Sequence, residues 1–435
     1  MGLPVRTADR VFEEIIQGLS EEERKKAREF KAFARGRKIK TVEQLLRVVL
    51  LYCGLDQSAR EVAGVMSLLY EPITEQAILE RMRGCGAWLK AMVMELVKVE
   101  AGVSWEGRRI SVVDATTVNG PGAKGSENRI HVRMELVSLE FLEIHVTDNK
   151  TGETLKNFRF EKGEVGIGDR GYSQAEGILE VKEQEAEVVV RLNPQSLPVY
   201  NEGGKKIDLA EVLKDQERET IQTIKVEIRD RKGERKAVAY VHAYRLGPKA
   251  AEQARRKCRK RSSKRKSTVA ETTRLLAEFV LIITTLPPEE LSAEAVLKLY
   301  RCRWQVELAF KKWKSVLNVD VLRAKQGSAL TQVWLYGKLL YALLVNRRMR
   351  HLFGEINDEL DQERTATWWR AMALTAEVMR PLITGVEFWP TQASADQVRV
   401  LAERPRRRRK LQTLPDEVIA FLTPGVNFQS KASAL

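Results

Sequence analysis

From residue 8 to about residue 100, apolar positions recur at three- and four-residue intervals through TVEQLLRVVLLYCGL, SAREVAGVM and ITEQAILERMRGCGAWLKAMVMELVKV. That is the period of helices with one buried face. Thr41, Ser58 and Thr74 stand where N-caps belong, and Glu75 and Gln76 follow Thr74. The short helices predict a helical bundle, or a helix-turn-helix with Thr74 to Arg83 as its recognition element. At Arg108 the period changes. RRISVVDATTV contains a compact apolar strand, Ile110 to Val113, ending at Asp114, and IHVRMELVS and EFLEIHVTD alternate as a half-exposed hairpin. VGIGDRGY is a second apolar strand running into Asp169, followed by a helix from Ser173 to about Gln184 and the strand EVVVRL. Strands first and strand-helix alternation afterwards predict a mixed α/β fold, a mixed sheet flanked by helices. After Asn193 and Pro194, IQTIKVEIRD and RKAVAYVHAYRL form a second hairpin around DRKGE, ahead of a basic helix and the strand FVLIITTL. Beyond Lys325 the helical period returns through ALTQVWLYGKLLYALLVNRRMRHLF and TWWRAMALTAEVMRPLI.

The domain organisation that follows is a helical region over 1–104, an α/β core over 105–194 and 286–324, a β-rich basic insertion over 195–285, and a helical C-terminal region over 325–435 with its own basic segment. Tyr300 to Leu317, YRCRWQVELAFKKWKSVL, predicts one helix with two faces. At about 100° per residue, Val306, Phe310, Trp313 and Leu317 share a core-facing sector. Tyr300, Arg303, Glu307 and Lys314 share a second sector beside it. The fold explains the first face. The second serves equally as an ion-pair face, because Arg303 and Glu307 are an i,i+4 pair.

Composition narrows the partners. A chain of 435 residues with 43% hydrophobic content fills two or three packed domains. Its apolar runs fall short of the about 20 residues that span a bilayer, and MGLPVRTADRVFEEI lacks the apolar centre of a signal peptide. A cytoplasmic, nucleoid-associated protein without a membrane partner is expected. Cys53, Cys85, Cys258 and Cys302 are scattered, which predicts reduced thiols rather than a zinc site. The net charge of +15 makes a polyanion the natural partner. Arg255 to Lys266 holds nine cations and no acid, and Arg404 to Lys410 holds six. Within the first run Arg255, Arg256, Lys257, Arg259, Lys260 and Arg261 are candidates for salt-dependent phosphate contact.

Asp114 and Asp169 stand at predicted strand ends, where α/β sheets place function, and Glu307 is a third acid on the two-faced helix. Three converging carboxylates suit hard divalent cations such as Mg²⁺, and two ions about 4 Å apart can hold both oxygens of an in-line phosphodiester displacement. Arg303 and Lys314 would then grip neighbouring phosphates, with Tyr300 as a hydroxyl or stacking contact. NGPGAKGS departs from the phosphate-loop pattern of NTPases. Only His131, His145, His242 and His351 are present, and two of them alternate inside predicted strands, which disfavours histidine-based hydrolysis.

These residues resemble the DDE transposases of the insertion-sequence-4 family, whose last acid lies in a Tyr-x2-Arg-x3-Glu-x6-Lys signature. Tyr300, Arg303, Glu307 and Lys314 match every spacing. Asp114 in VVDATTV looks like the family's first aspartate and Asp169 in GDRGY like its second. The resemblance covers about residues 105 to 320. It implies an RNase H-like core, Asp114, Asp169 and Glu307 as catalytic metal ligands for Mg²⁺ with Mn²⁺ as a substitute, and cleavage of double-stranded DNA at terminal inverted repeats. It also implies joining of the 3′ ends to target DNA by a homodimer bridging two ends. Arg170 and Trp304 join the candidates for DNA contact. Relatives that close a DNA hairpin use a tryptophan from the insertion, and this chain has none between Trp105 and Trp304. Trp334, Tyr341, Trp368 and Trp369 are core residues or subunit contacts.

Overall fold

The computed structural model describes residues 5–17, 19–97, 107–264, 268–353, 365–385, 402–403 and 418. The basic run Arg404 to Lys410, Arg265 and Lys266, and the side chain of Arg261 lie outside the described residues. The N-terminal part is helical: α1 (Val5–Ile16), α2 (Glu21–Lys25), α3 (Val42–Val49), α4 (Ala59–Leu69), α5 (Glu75–Arg83) and α6 (Gly86–Leu96). All three expected caps form. The Thr41 and Thr74 hydroxyls accept from the amides of Gln44 and Ala77, and Ser58 and Glu61 make a reciprocal capping box. α3 passes into a wider π-helical turn, Leu50–Gly54.

One sheet of eight strands follows. β1 (Ile110–Val118), β2 (Asn128–Glu135) and β3 (Phe141–Asp148) are antiparallel neighbours. β4 (Val165–Gly168) lies parallel to β1, and β5 (Glu187–Arg191), reached through α7 (Ala175–Glu183), lies parallel to β4. After α8 (Leu209–Leu213) come β6 (Ile221–Arg229), β7 (Lys236–Arg245), the basic helix α9 (Pro248–Lys264), α10 (Glu271–Leu276) and β8 (Phe279–Thr284). β8 pairs antiparallel with β5, giving the order β3-β2-β1-β4-β5-β8-β7-β6. The hairpin read from the sequence around DRKGE therefore extends the central sheet. Two apolar cores result, because strand residues alternate between faces. Ile110, Val112, Val165, Ile167 and Val189 join a core with the terminal helices, while Val113, Val188 and Val190 join one with α7 and β7.

α11 (Ala293–Arg301), α12 (Trp304–Leu317), α13 (Ala329–Phe353) and α14 (Trp368–Thr384) complete the described chain. Trp334 and Tyr341 on α13 are buried, Trp368 is half-buried and Trp369 is exposed. α13 packs closely on the π-helical turn, and a methyl group at Gly337 would lie 2.7 Å from the sulfur of Cys53. No helix among the described residues is long and apolar enough to cross a membrane.

Two expectations are corrected. The single helix expected from Tyr300 to Leu317 is broken at Cys302 and Arg303, where i to i+3 hydrogen bonds replace the α-helical ladder. Asp114 does not end its strand. β1 continues to Val118 because β2 stays paired with it through Val118 and Asn128, after the parallel neighbour β4 has stopped at Gly168.

Candidate active site

Strand register brings the two aspartates level. Ile110, Ser111 and Val112 pair with Val165, Gly166 and Ile167, so two residues further on Asp114 stands opposite Asp169. Asp114 shares the strand face of Ile110 and Val112, the face against which α12 packs. Asp169 caps the short turn Arg170–Tyr172, its Oδ1 accepting from the Gly171 amide at 2.7 Å. Glu307 lies in the first turn of α12, whose expected stripe of Val306, Phe310, Trp313 and Leu317 is buried. Trp313 meets Phe141 with ring centroids 4.4 Å apart, which fixes the helix on the sheet.

Arg303 ties two of the acids together. Its guanidinium donates to Glu307 and lies 3.6 Å from Asp114 Oδ2. The Tyr300 ring is 6.0 Å from the same guanidinium, so Tyr300 and Arg303 converge across the break between α11 and α12. Burial pushes the Asp114 carboxyl up to about 7, against the Ala115 amide and Arg303, and the charges of Asp169 and Glu307 raise it further. Each acid is thus within electrostatic reach of Asp114. They do not close on a point: among the described residues, no group of three His, Cys, Asp or Glu side chains is drawn together tightly enough to enclose an ion. The donors nevertheless fit a hard divalent cation, since all are carboxylate oxygens and the half-buried Asp114 has one guanidinium, shared with Glu307, as its counter-charge.

The other candidates spread outward. Lys314 is half-buried two turns beyond Glu307 on α12. Arg170 is exposed beside Asp169. Trp304, 37% exposed, opens α12 with the Lys311 ammonium 4.4 Å above its ring. On α9, Arg256, Lys257, Arg259 and Lys260 are exposed, whereas Arg255 is held at 2.6 Å by Glu278, an acid also engaged by Arg218. α4 and α5 are joined by a short turn as a helix-turn-helix requires, yet α5 carries Glu75 and Glu80 against Arg81 and Arg83. His131 and His242 are buried, bonded to Thr147 and Thr223, and the four cysteines are free thiols.

Three features escaped the sequence reading. Arg191 closes β5 near Tyr300, where it opposes the rise that burial imposes on the tyrosine pKa; a cation ending EVVVR was its only signal. Glu153 and Tyr172 lie beside Asp169, with nothing in the pattern to separate them from loop and core residues. Lys25 to Lys40 holds eight cations and one acid on a largely exposed surface, and Arg81 of α5 donates to the Arg35 carbonyl beneath it. Interleaved Ala, Phe and Gly dilute that run below the density of the two noticed.

Residues 105–343 match the transposase DDE domain, a span of more than half of the chain within which all three acids lie. The transposase for insertion sequence element IS421 of Escherichia coli is 32% identical over 340 residues, covering 76% of this chain and 91% of that protein. InsL of insertion sequence element IS186A, from Escherichia coli K12, is 31% identical over 339 residues, covering 76% and 90%. The transposase for IS231F of Bacillus thuringiensis subsp. israelensis is 26% identical over 276 residues, covering 56% and 57%. The sheet order β3-β2-β1-β4-β5 is then the RNase H-like core that such a domain implies. With the match, the relatives and the insertion-sequence-4 resemblance in agreement, the chain belongs to the DDE transposases.

Proposed function

We propose that this protein cuts DNA at the terminal inverted repeats of its insertion sequence and joins the freed 3′ ends to target DNA, by a cut-and-paste route. The observation that carries the reading is that Asp114 and Asp169 stand level on two parallel strands while Arg303 joins Asp114 to Glu307 on the neighbouring helix. Asp114, Asp169 and Glu307 would hold Mg²⁺, or Mn²⁺ in its place. Bound there, the cation lowers the pKa of attacking water and neutralises charge on the phosphoryl oxygens. In cleavage, water attacks phosphorus in line and the 3′ oxygen leaves as a hydroxyl; in joining, that 3′-hydroxyl attacks a target phosphodiester, whose own 3′ oxygen leaves as a hydroxyl. The planar fork of Arg303 suits a phosphate as well as it suits two carboxylates, so it can pass from the acids to DNA when the duplex arrives. Lys314, Arg170 and Arg191 add positive charge around the same phosphates, and Tyr300 orients Arg303. Trp304, stiffened by Lys311, offers a stacking face at the edge of the site, while hairpin closure lacks an insertion tryptophan.

The wider DNA surface falls to residues 195–285, whose Arg256, Lys257, Arg259 and Lys260 track the backbone, and to the N-terminal helices with Thr74 to Arg83 reading the end. A homodimer holding two ends in the bacterial nucleoid is the working assembly. The test is cleavage of a duplex carrying the inverted repeat and its flank in Mg²⁺. Wild-type protein should cut at the repeat boundary, and Glu307→Gln should lose cutting by on the order of 10² to 10³ or more while shifting the same duplex in a gel. Cutting indifferent to the repeat would make the protein a nuclease of the same fold. Undiminished cutting by Glu307→Gln would return Glu307 to the role of an ion-pair partner.

A further inference from the structure

We propose that Glu153 is a fourth acid of this site, sharing a divalent cation with Asp169; the inference rests on the metal-dependent reading above. Glu153 lies in the loop between β3 and β4, well apart in sequence from the three acids. A methyl group built on Gly171 would lie 2.7 Å from Glu153 Oε2 and 3.0 Å from Asp169 Oδ1. The two oxygens are therefore no farther apart than the sum of those distances, and an ion between them would draw each to about 2.1 Å. Only glycine at 171 leaves that space open.

The loop is fastened where such a ligand needs it. The Gln174 side-chain amide donates to the carbonyl of Glu153 at 2.9 Å and to that of Gly171 at 3.0 Å, clasping the Glu153 loop to the Asp169 turn. The Glu153 carboxylate has no hydrogen bond or ion pair among the described residues, although it is half-buried. Burial raises its pKa and the Asp169 charge raises it further, with Arg129 opposing. A half-buried acid set beside another acid, without a paired cation, is destabilising unless a cation fills the space.

A second observation points to the same space. Tyr172 is fully buried, its ring packed over Gly168, and its hydroxyl has no hydrogen-bond partner. That hydroxyl feels the charges of Asp114, Glu153 and Asp169 without bonding to any of them. A buried donor left unpaired within electrostatic reach of three carboxylates is satisfied by an added oxygen, such as a water or phosphate oxygen of an ion's shell.

The experiment is an Mn²⁺ titration of the full-length, DNA-free protein, with free Mn²⁺ read by electron paramagnetic resonance. Glu153→Gln should raise the Mn²⁺ Kd by about ten-fold or more, Asp169→Asn should do so at least as strongly, and Glu161→Gln should leave it unchanged. The melting temperature of Glu153→Gln in EDTA should be no lower than that of wild type, which separates a ligand from a structural residue. Wild-type Mn²⁺ affinity in Glu153→Gln, with weakened affinity in Asp169→Asn, overturns the role of Glu153 and leaves the metal reading standing. Wild-type affinity in both variants overturns the two together. Should Glu153→Gln not fold, Glu153→Asp replaces it: one methylene shorter, it should also weaken Mn²⁺ binding, and unchanged affinity overturns the proposal.

Discussion

Titratable side chains buried by the sheet set how the protein responds to pH. His131 on β2 and His242 on β7 are wholly inaccessible, and burial pushes each down to about 4. A depressed histidine favours the fold while neutral, so its contribution is intact above the unfolded value near 6.5 and is lost as pH falls toward 4. Asp114 works the other way: raised to about 7, its carboxyl favours the fold when protonated and costs stability as pH rises through 7. The histidine effect must therefore be read as a difference between two proteins that share Asp114. Between pH 7.5 and 5.5 wild type should lose about 1 kcal/mol per buried histidine that the His131→Gln, His242→Gln double variant does not lose. Denaturant midpoints at the two pH values measure this, and parallel pH slopes would mean that both histidines charge without opposition. At this scale the sequence already pointed to structural histidines, since two of the four alternate inside predicted strands. It could not point to Glu153, because its importance comes from a turn that folds Asp169 back onto a loop, a contact with no local period.

Elements were legible where their period was strong. The caps of α3, α4 and α5 and the buried stripe of α12 follow from local rules and formed as read. Boundaries failed where a distant partner decided them. β1 runs past Asp114 because β2 holds it, and the helix expected from Tyr300 breaks at Cys302 because a tighter turn directs α12 onto the sheet. The joining of β8 to β5 is likewise a pairing between segments about 90 residues apart, invisible to any window. The basic helix α9 can be tested as a unit. Arg255 is already committed to Glu278, so the exposed charges to remove are Arg256, Lys257, Arg259 and Lys260. Each cation on a phosphate contributes about 0.9 to the slope of log affinity against log salt, so neutralising all four should flatten it by about 3 to 4. Nonspecific duplexes should weaken as much as the inverted repeat, since phosphate contacts carry no base sequence. An unchanged slope would assign α9 to a solvated face of the insertion.

Across the whole molecule, the N-terminal helices, α12 and the C-terminal helices meet at one buried charge. Lys338, on the inner face of α13, has a side chain 1% exposed and donates to Asp56 Oδ2 at 2.8 Å and to the Gly54 carbonyl at 3.1 Å. Asp56, in a left-handed conformation at φ 56°, follows the π-helical turn and precedes α4. Its carboxylate also accepts at 3.2 Å from Asn318, the left-handed residue that ends α12, and Arg323 donates to its carbonyl. Burial lowers the Lys338 pKa against the pull of Asp56, so the ammonium depends on that single carboxylate. Removing one partner of a buried pair leaves an uncompensated charge and costs about 3 to 5 kcal/mol, whereas replacing both with apolar groups is often neutral. Asp56→Ala should therefore destabilise the protein by about that amount. Lys338→Met should cost less, because Asp56 retains Asn318 and partial access to solvent, and the double variant should recover most of the loss seen in Asp56→Ala. Denaturant midpoints of the three variants form the cycle. Additive losses would show that Lys338 and Asp56 act independently and that their ion pair does not hold the three helical groups together.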